Sequence, residues 1–313
     1  MTRNILYTTI STLISFISFT QNQSTENDKY GWVDFDNDLF FKTDRYYTNG
    51  IEFGYMDPIF KKSPFCVLLY KNREKTIYYS GVSITQEMYT PTNTDAKTLQ
   101  TDDRPYAGTL YITQFADIRF PEKNRRIITS FSLGLIGPSA LTEQTQTFIH
   151  RITPSSAPEG WHNQIQQSLL INYYAKAEQG ITSKDNFLWT TEGSAEFGTY
   201  KTNLSLGTFT RFGRFNNYYN SLPVNKNTEN WQLYGTLGFT TKMVIYDATL
   251  QGGFDNNLVE TSYNIKRLVA NGIIRLTASY KHYLIEGKTT LITQEFEGGE
   301  IHKYFTITFG IGF

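Results

Sequence analysis

The sequence predicts an all-β fold, a transmembrane antiparallel β-barrel of about twelve strands with a short helix in one long loop. Three observations predict it. The last segment alternates without a break, with Phe305, Ile307, Phe309, Ile311 and Phe313 on one parity and Thr306, Thr308, Gly310 and Gly312 on the other. That period of two belongs to a strand with one apolar face. Aromatic residues, mostly Tyr and Phe, make up 16% of the chain and favour strands, as does Thr. Beyond the N-terminus no apolar run approaches the ~20 residues a spanning helix needs, so any membrane insertion has to be through strands.

At the start, "MTRNILYTTISTLISFISFTQNQ" carries Arg3, an apolar run from Ile5 to Phe19 and then a polar stretch. This is the layout of a secretory signal peptide, expected to span about 1–22 and to leave 23–313 as the barrel. Cys66 is the only cysteine, so no internal disulfide is possible; a closed hydrogen-bonded sheet would supply rigidity to an exported chain of this size. The 29 basic residues balance the 29 acidic ones, which argues against a nucleic-acid partner.

Alternation and turn signals place strands at 28–38, 48–57, 76–87, 106–118, 125–136, 164–178, 188–200, 202–212, 231–241, 243–252, 267–283 and 301–313. In the fifth, Ile127, Phe131, Leu133 and Leu135 oppose Ser130, Ser132 and Gly134. In the ninth, Trp231, Leu233, Leu237 and Phe239 alternate with Gln232, Tyr234, Thr236 and Thr240. In the eleventh, Leu268, Ala270, Ile274, Leu276, Ala278 and Tyr280 face away from Arg275, Thr277, Ser279 and Lys281. A soluble barrel would turn these apolar faces inward; a lipid-embedded one turns them outward and lines its interior with the small and polar set. The final aromatic, Phe313, favours the lipid-embedded reading, and an even strand count suits a barrel with both termini on one side.

Parity also groups the loops. If the first strand rises from the terminal side, the links 39–47, 88–105 and 137–163 share the opposite rim, and the last two are long and polar. From Ser139 to His150 the spacing is helical, with Glu143, Gln146, Thr147 and His150 on one side and Leu141 and Phe148 on the other. The apolar side would anchor the helix to barrel or lipid, and the polar side ends in His150, either solvated or chemically active. Asn37 and Asp38 end the first strand and Thr48 begins the second; their oxygens would suit a hard cation such as calcium or simply form a turn. Asp103 and Arg104 precede the fourth strand and read as a rim ion pair beside the Pro105 turn.

The stretches "FDNDLFFKTDRYYTNGIEFGY", "DDRPYAGTLY" and "LGLIGPSALTEQTQTFIHRI", followed by "GWHNQI", resemble in order the signatures of the lipid A deacylase family of the LpxR type. The resemblance covers about Trp32 to Ile165. It implies a twelve-stranded outer-membrane barrel acting on lipid A or lipopolysaccharide, with a calcium-dependent esterase site between the wall and an outer-loop helix. Residue by residue it implies His150 in "QTFIHR" as the catalytic histidine, and Asn37, Asp38 and Thr48 as catalytic and calcium-binding positions. The expected mechanism is water attack on the ester with His150 as general base, Glu143 orienting it or aiding the cation. Arg104 with Asp103, Arg45 and Arg151 are the candidates for headgroup contact. A monomer is expected. Competing readings are an outer-membrane phospholipase and a non-enzymatic porin or lipid-binding barrel.

Overall fold

The computed structural model describes residues 29–41, 43–72, 76–152, 158–224, 230–254, 256–257 and 264–313. The expected signal peptide lies outside the described residues. The strands are β1 (Tyr30–Asn37), β2 (Tyr46–Met56), β3 (Ile77–Thr90), β4 (Ala107–Phe120), β5 (Arg125–Ile136), β6 (Ser168–Lys184) and β7 (Phe187–Gly198). They continue as β8 (Lys201–Arg214), β9 (Gln232–Asp247), β10 (Gly252–Gly253), β11 (Asn256–Asn257), β12 (Leu268–Tyr280), β13 (Tyr283–Ile292) and β14 (His302–Gly312). Among the described residues two α-helices join them, α1 (Thr142–Ile152) and the one-turn α2 (Ala248–Gln251). β10 and β11 form a small ladder of their own; the other twelve strands close a barrel in which each pairs with its neighbours in sequence and β1 pairs with β14. Closure runs from Tyr30 opposite Gly312 to Asn37 opposite Phe305, which satisfies both edges that an open sheet would leave unpaired in lipid.

The faces have the polarity of a lipid-embedded barrel. On β8, Leu206 is 75% exposed while Ser205 beside it is 8% exposed, so apolar side chains point out and polar ones in. The interior is filled with charge and hydroxyl: the Glu87 carboxylate accepts from the hydroxyls of Tyr89, Tyr111 and Tyr200. Asp117 holds Arg119 and Arg126, and Lys176 bridges Glu178 and Glu192 at 3.0 and 2.7 Å.

The expected count of twelve is right, but two assignments within it are not. Segments 231–241 and 243–252 are one strand, β9, followed by α2; its outward parity passes unbroken through Leu237, Phe239, Met243 and Ile245, all exposed. The segment 267–283 stops at Tyr280, and β13 is a strand the pattern did not reveal. Its outward row is interrupted at Gly287, where a Cβ would lie 2.9 Å from the Phe305 ring. The neighbouring strand thus supplies the apolar cover that the β13 sequence lacks. The turn before it carries no Gly or Asn, although Lys281 takes φ +50°.

Candidate functional site

The links after β1, β3, β5, β7, β9 and β13 lie at one end of the barrel, and the chain termini at the other. At the loop end, α1 starts three residues later than the helical spacing predicted. Pro138–Ala140 form a separate 3-10 turn, and Leu141 takes a left-handed φ of 59° before Thr142 opens the helix. Gln86 Nε2 donates to Ala140 O at 2.6 Å. Gly108 admits the helix, because a Cβ there would lie 1.8 Å from Thr142 Oγ1. Gln86 and Gly108 share the outward parity of Ile84 and Ile112, both exposed, so α1 lies on the outside of the wall over β3 and β4. Its inner side buries Thr142, Gln146 and His150, while Leu141 and Phe148 are exposed.

The oxygen-bearing residues reach the same outer face. Asn37 opposes Asn49, two pairs along from Phe35 opposite Ile51, and Phe53 further down the row is exposed. In β2, Tyr47 opposes Tyr89 and Asn49 opposes Met88, leaving Thr48 as the extra residue of a bulge; a bulge re-aims the side chain it carries. Thr48 is wholly buried, and its Oγ1 donates to Met88 O at 3.3 Å. Asn37 Oδ1 accepts from Leu39 N at 2.6 Å, an Asx turn, and Asn37 Nδ2 donates to Asn49 Oδ1 at 3.0 Å. Asp38 is also wholly buried: Oδ2 accepts from Arg45 N at 3.0 Å, and Oδ1 has no hydrogen-bond partner. Burial pushes the Asp38 carboxyl up to about 8, against the pull of the Arg45 amide.

The link that holds Asp38 also meets the helix. Asp44 Oδ2 lies 4.0 Å from His150 Nε2; burial raises the Asp44 carboxyl and the His150 charge pulls it back. Asp44 was not among the sequence candidates, nor was Gln146, which accepts from Trp161 Nε1 at 2.7 Å and whose Nε2 is buried without a partner. Both could have been found, Asp44 as the acid between Asp38 and Thr48 on one rim link, and Gln146 as the residue one turn before His150.

Asn37, Asp38, Thr48 and His150 are therefore gathered on one stretch of outer wall. Glu143 is not with them. It is exposed in the first turn of α1, seven residues from His150 and hence about 10 Å along the axis, so it is not placed to orient the imidazole. Arg104 is on the other side of the wall. It is 0% exposed and lumen-facing, bound to Glu295 at 2.7 Å and Thr249 Oγ1 at 2.6 Å, and its guanidinium lies over the Tyr89 ring. Packed inside the mouth, it has no free face for a headgroup. Asp103 ties its own loop, accepting from Thr92 N and Arg104 N at 2.6 and 2.7 Å. Arg45 pairs with Glu300 at 2.6 Å, and Arg151 is exposed on the last turn of α1.

Among the described residues no three His, Cys, Asp or Glu side chains cluster as a metal-ligand set. What the wall does offer is one carboxylate with an unpartnered oxygen beside amide, hydroxyl and backbone oxygens. That donor chemistry fits a hard cation such as calcium better than a nitrogen- or thiolate-seeking metal.

A closed barrel with an apolar exterior and a polar, charge-filled interior defines an outer-membrane β-barrel protein. A sequence profile described as outer membrane protein LpxR matches residues 6–313, and the chain belongs to that family. The fold is similar to that of LpxR from Salmonella typhimurium, with a TM-score of 0.74 at 18% identity over 90% of this chain and 99% of that one. The outer membrane channel COG4313 from Pseudomonas putida F1 gives a TM-score of 0.47 at 10% identity, over 94% of this chain and 98% of that one. Among curated protein sequences none matches.

Proposed function

We propose that this outer-membrane protein is a carboxylic-ester hydrolase that removes an acyl chain from lipid A, with calcium as cofactor and His150 as general base. The observation that carries the reading is where the residues lie. Asn37, Asp38 and Thr48 sit on the outside of the wall beside α1, which carries His150 on its inner side, and the exposed Leu141 and Phe148 continue the apolar surface. A lipid can reach that position without leaving the leaflet, its acyl chains in the apolar belt and its ester carbonyl at the rim.

His150 takes a proton from a water molecule, whose oxygen attacks the ester carbonyl. Asp44, 4.0 Å away, stabilises the imidazolium so formed. When the tetrahedral adduct collapses, His150 returns the proton to the departing sugar oxygen, giving a free fatty acid and an alcohol. Asp38, with oxygens of Asn37 and Thr48, would hold the calcium, which when bound supplies positive charge to the oxyanion. Arg45 and Arg151 are the cations left at the outer rim for headgroup phosphates. No serine stands in a nucleophile-elbow context, which favours direct attack by water over an acyl-enzyme.

Mass spectrometry of lipid A from cells expressing the wild-type protein and the His150→Ala variant tests this. The wild type should shorten lipid A by one acyl chain and the variant should leave it intact, with a rate on purified lipopolysaccharide lower by ~10² or more. A variant within a few-fold of wild type would remove His150 from the base role. Fatty-acid release from glycerophospholipid alone would redirect the reading to a phospholipase.

A further inference from the structure

The terminus end of the lumen holds a polar cavity of about 290 Å³, separate from the outer-wall site. Its walls come from two sources: barrel strands, and the link after β8, whose residues 215–224 fold into the lumen. That link is tied down by Arg119, which donates to Tyr218 O and Ser221 O. Further ties are Gln232 Nε2 to Pro223 O at 3.1 Å and Ser279 Oγ to Pro223 O at 2.9 Å. Leu222 and Val224 pack on Tyr30, Tyr79 and Leu284.

Five cations line the cavity, Arg119, Arg126, Arg211, Arg275 and Lys288, against two carboxylates, Asp34 and Glu286. Four of the five cations have acids. Arg119 and Arg126 share Asp117, Arg275 Nε lies 3.2 Å from Glu286, and Lys288 neighbours Asp34. Arg211 is different. It is 9% exposed, its guanidinium lies over the rings of Phe215, Tyr218 and Tyr234, and its Nε has no hydrogen-bond partner. Among the described residues no carboxylate pairs with it. Asn216 Nδ2, a second donor lining the cavity, is also buried without a partner.

A guanidinium does not shed its proton to escape burial, and a buried charge without a partner is costly. Aromatic faces compensate only part of that cost. Unfilled donors and an unmatched positive charge facing one cavity call for an anion with several acceptor oxygens. At about 30 Å³ per water the volume holds roughly ten waters, enough for a hydrated tetrahedral ion and too little for a whole lipid.

We propose that this cavity is a binding site for a small inorganic oxyanion of the phosphate or sulfate class, held by Arg211 and Asn216. The ion joins the inserted link, through Asn216, to the barrel wall, through Arg211, and so fixes the link inside the lumen.

The test is thermal unfolding of the full protein in detergent, titrated with inorganic phosphate or with chloride at matched ionic strength. Phosphate should raise the unfolding midpoint saturably and chloride should not. Arg211→Met keeps the apolar stem on the rings and removes the charge; it should weaken the apparent phosphate affinity at least about ten-fold, the loss expected for a charge-assisted contact. Arg214→Met, at an exposed arginine nearby, should leave the response unchanged. Should Arg211→Met fail to fold, Asn216→Ala replaces it and phosphorus-31 line broadening on the wild type reports occupancy directly. Equal effects of phosphate and chloride on the wild type would overturn the proposal, as would equal phosphate responses in wild type and Arg211→Met. So would the absence of line broadening together with an unchanged response in Asn216→Ala. None of these outcomes bears on His150 or on ester hydrolysis.

Discussion

His150 and Asp44 are the residues on which the proposed chemistry turns most directly, and their 4.0 Å separation allows an estimate of what the pair would contribute. Unit charges at that distance attract by about 1 kcal/mol in water and about 4 kcal/mol near a protein surface. The Asp44 side chain is 29% exposed, so the lower part of that range applies, and Asp44→Asn should lower kcat by about ten-fold. Steady-state rates of fatty-acid release measure it, and a variant with unchanged kcat would show that Asp44 does not face the imidazolium. Asp38 gives the metal prediction. With Oδ1 unpartnered and the side chain fully buried, chelation should abolish turnover and added calcium restore it; turnover that persists in excess chelator would leave that carboxylate without its proposed role. The sequence made Asn37, Asp38, Thr48 and His150 visible because each lies in a long ordered motif. Arg104 lies in such a motif too, but it stands in the loop three residues before β4 begins at Ala107, where no strand parity fixes its direction. A loop sequence has no period from which to read that direction. Asp44 could be listed from its place between Asp38 and Thr48, but only the fold of the link brings it to His150.

The element that makes the site is α1 against the outer wall, and its seating depends on one missing side chain. A Cβ at Gly108 would lie 1.8 Å from Thr142 Oγ1 and 2.7 Å from Thr142 Cβ, contacts that force the helix away. Overpacking of this kind costs about 1–3 kcal/mol, so Gly108→Ala should lower esterase activity at least several-fold while the barrel still folds. Heat-modifiable mobility on gels reports the barrel and fatty-acid release reports the site. Adding Thr142→Gly to Gly108→Ala removes the clash and should restore much of the activity; no rescue would mean that helix seating is not what the alanine disturbs. Elements were otherwise legible in proportion to how regular their own outward rows are. β14 alternates along its whole length and was placed correctly to within a residue or so. β13 was missed because its outward row contains Gly287, covered by Phe305 from the next strand. β9 was divided because its outward row carries the polar Thr241 between Phe239 and Met243, although its apolar parity continues on either side of it. The two errors cancelled in the total of twelve, so a correct count concealed an incorrect assignment.

At the scale of the whole molecule, the barrel separates two compartments of opposite character, and the consequence concerns conduction. The residues of the proposed esterase site lie outside the wall, so nothing in that proposed chemistry requires an open lumen, and the lumen is filled at both ends. At the loop end Arg104, in the link between β3 and β4, ties α2 through Thr249 to the link between β13 and β14 through Glu295, and Phe296, Leu250 and Ile265 pack with Tyr46. At the terminus end, residues 215–224 fill the mouth, with Leu222 and Val224 on Tyr30, Tyr79 and Leu284. The paired charges of Asp117, Arg119 and Arg126 stand against this inserted link, and the tyrosine hydroxyls around Glu87 lie further toward the loop end. Moving the inserted link out would expose Leu222 and Val224 and strip Arg119 of two carbonyl acceptors, which at roughly 1.5–3 kcal/mol per hydrogen bond to a charged group makes spontaneous opening rare. The protein in a planar bilayer should therefore show no steady conductance. Replacing Tyr218–Val224 with a short Gly-Ser linker removes only the terminus-end filling and leaves the loop-end packing of Tyr46, Leu250, Ile265 and Phe296, so it should still give no steady conductance, and with the outer-wall residues in place fatty-acid release should persist. Steady current through the unaltered protein would mean that the lumen is not closed as described. Loss of release in the linker variant, with the barrel still folded, would mean that the lumen filling and the outer-wall site are one mechanical unit.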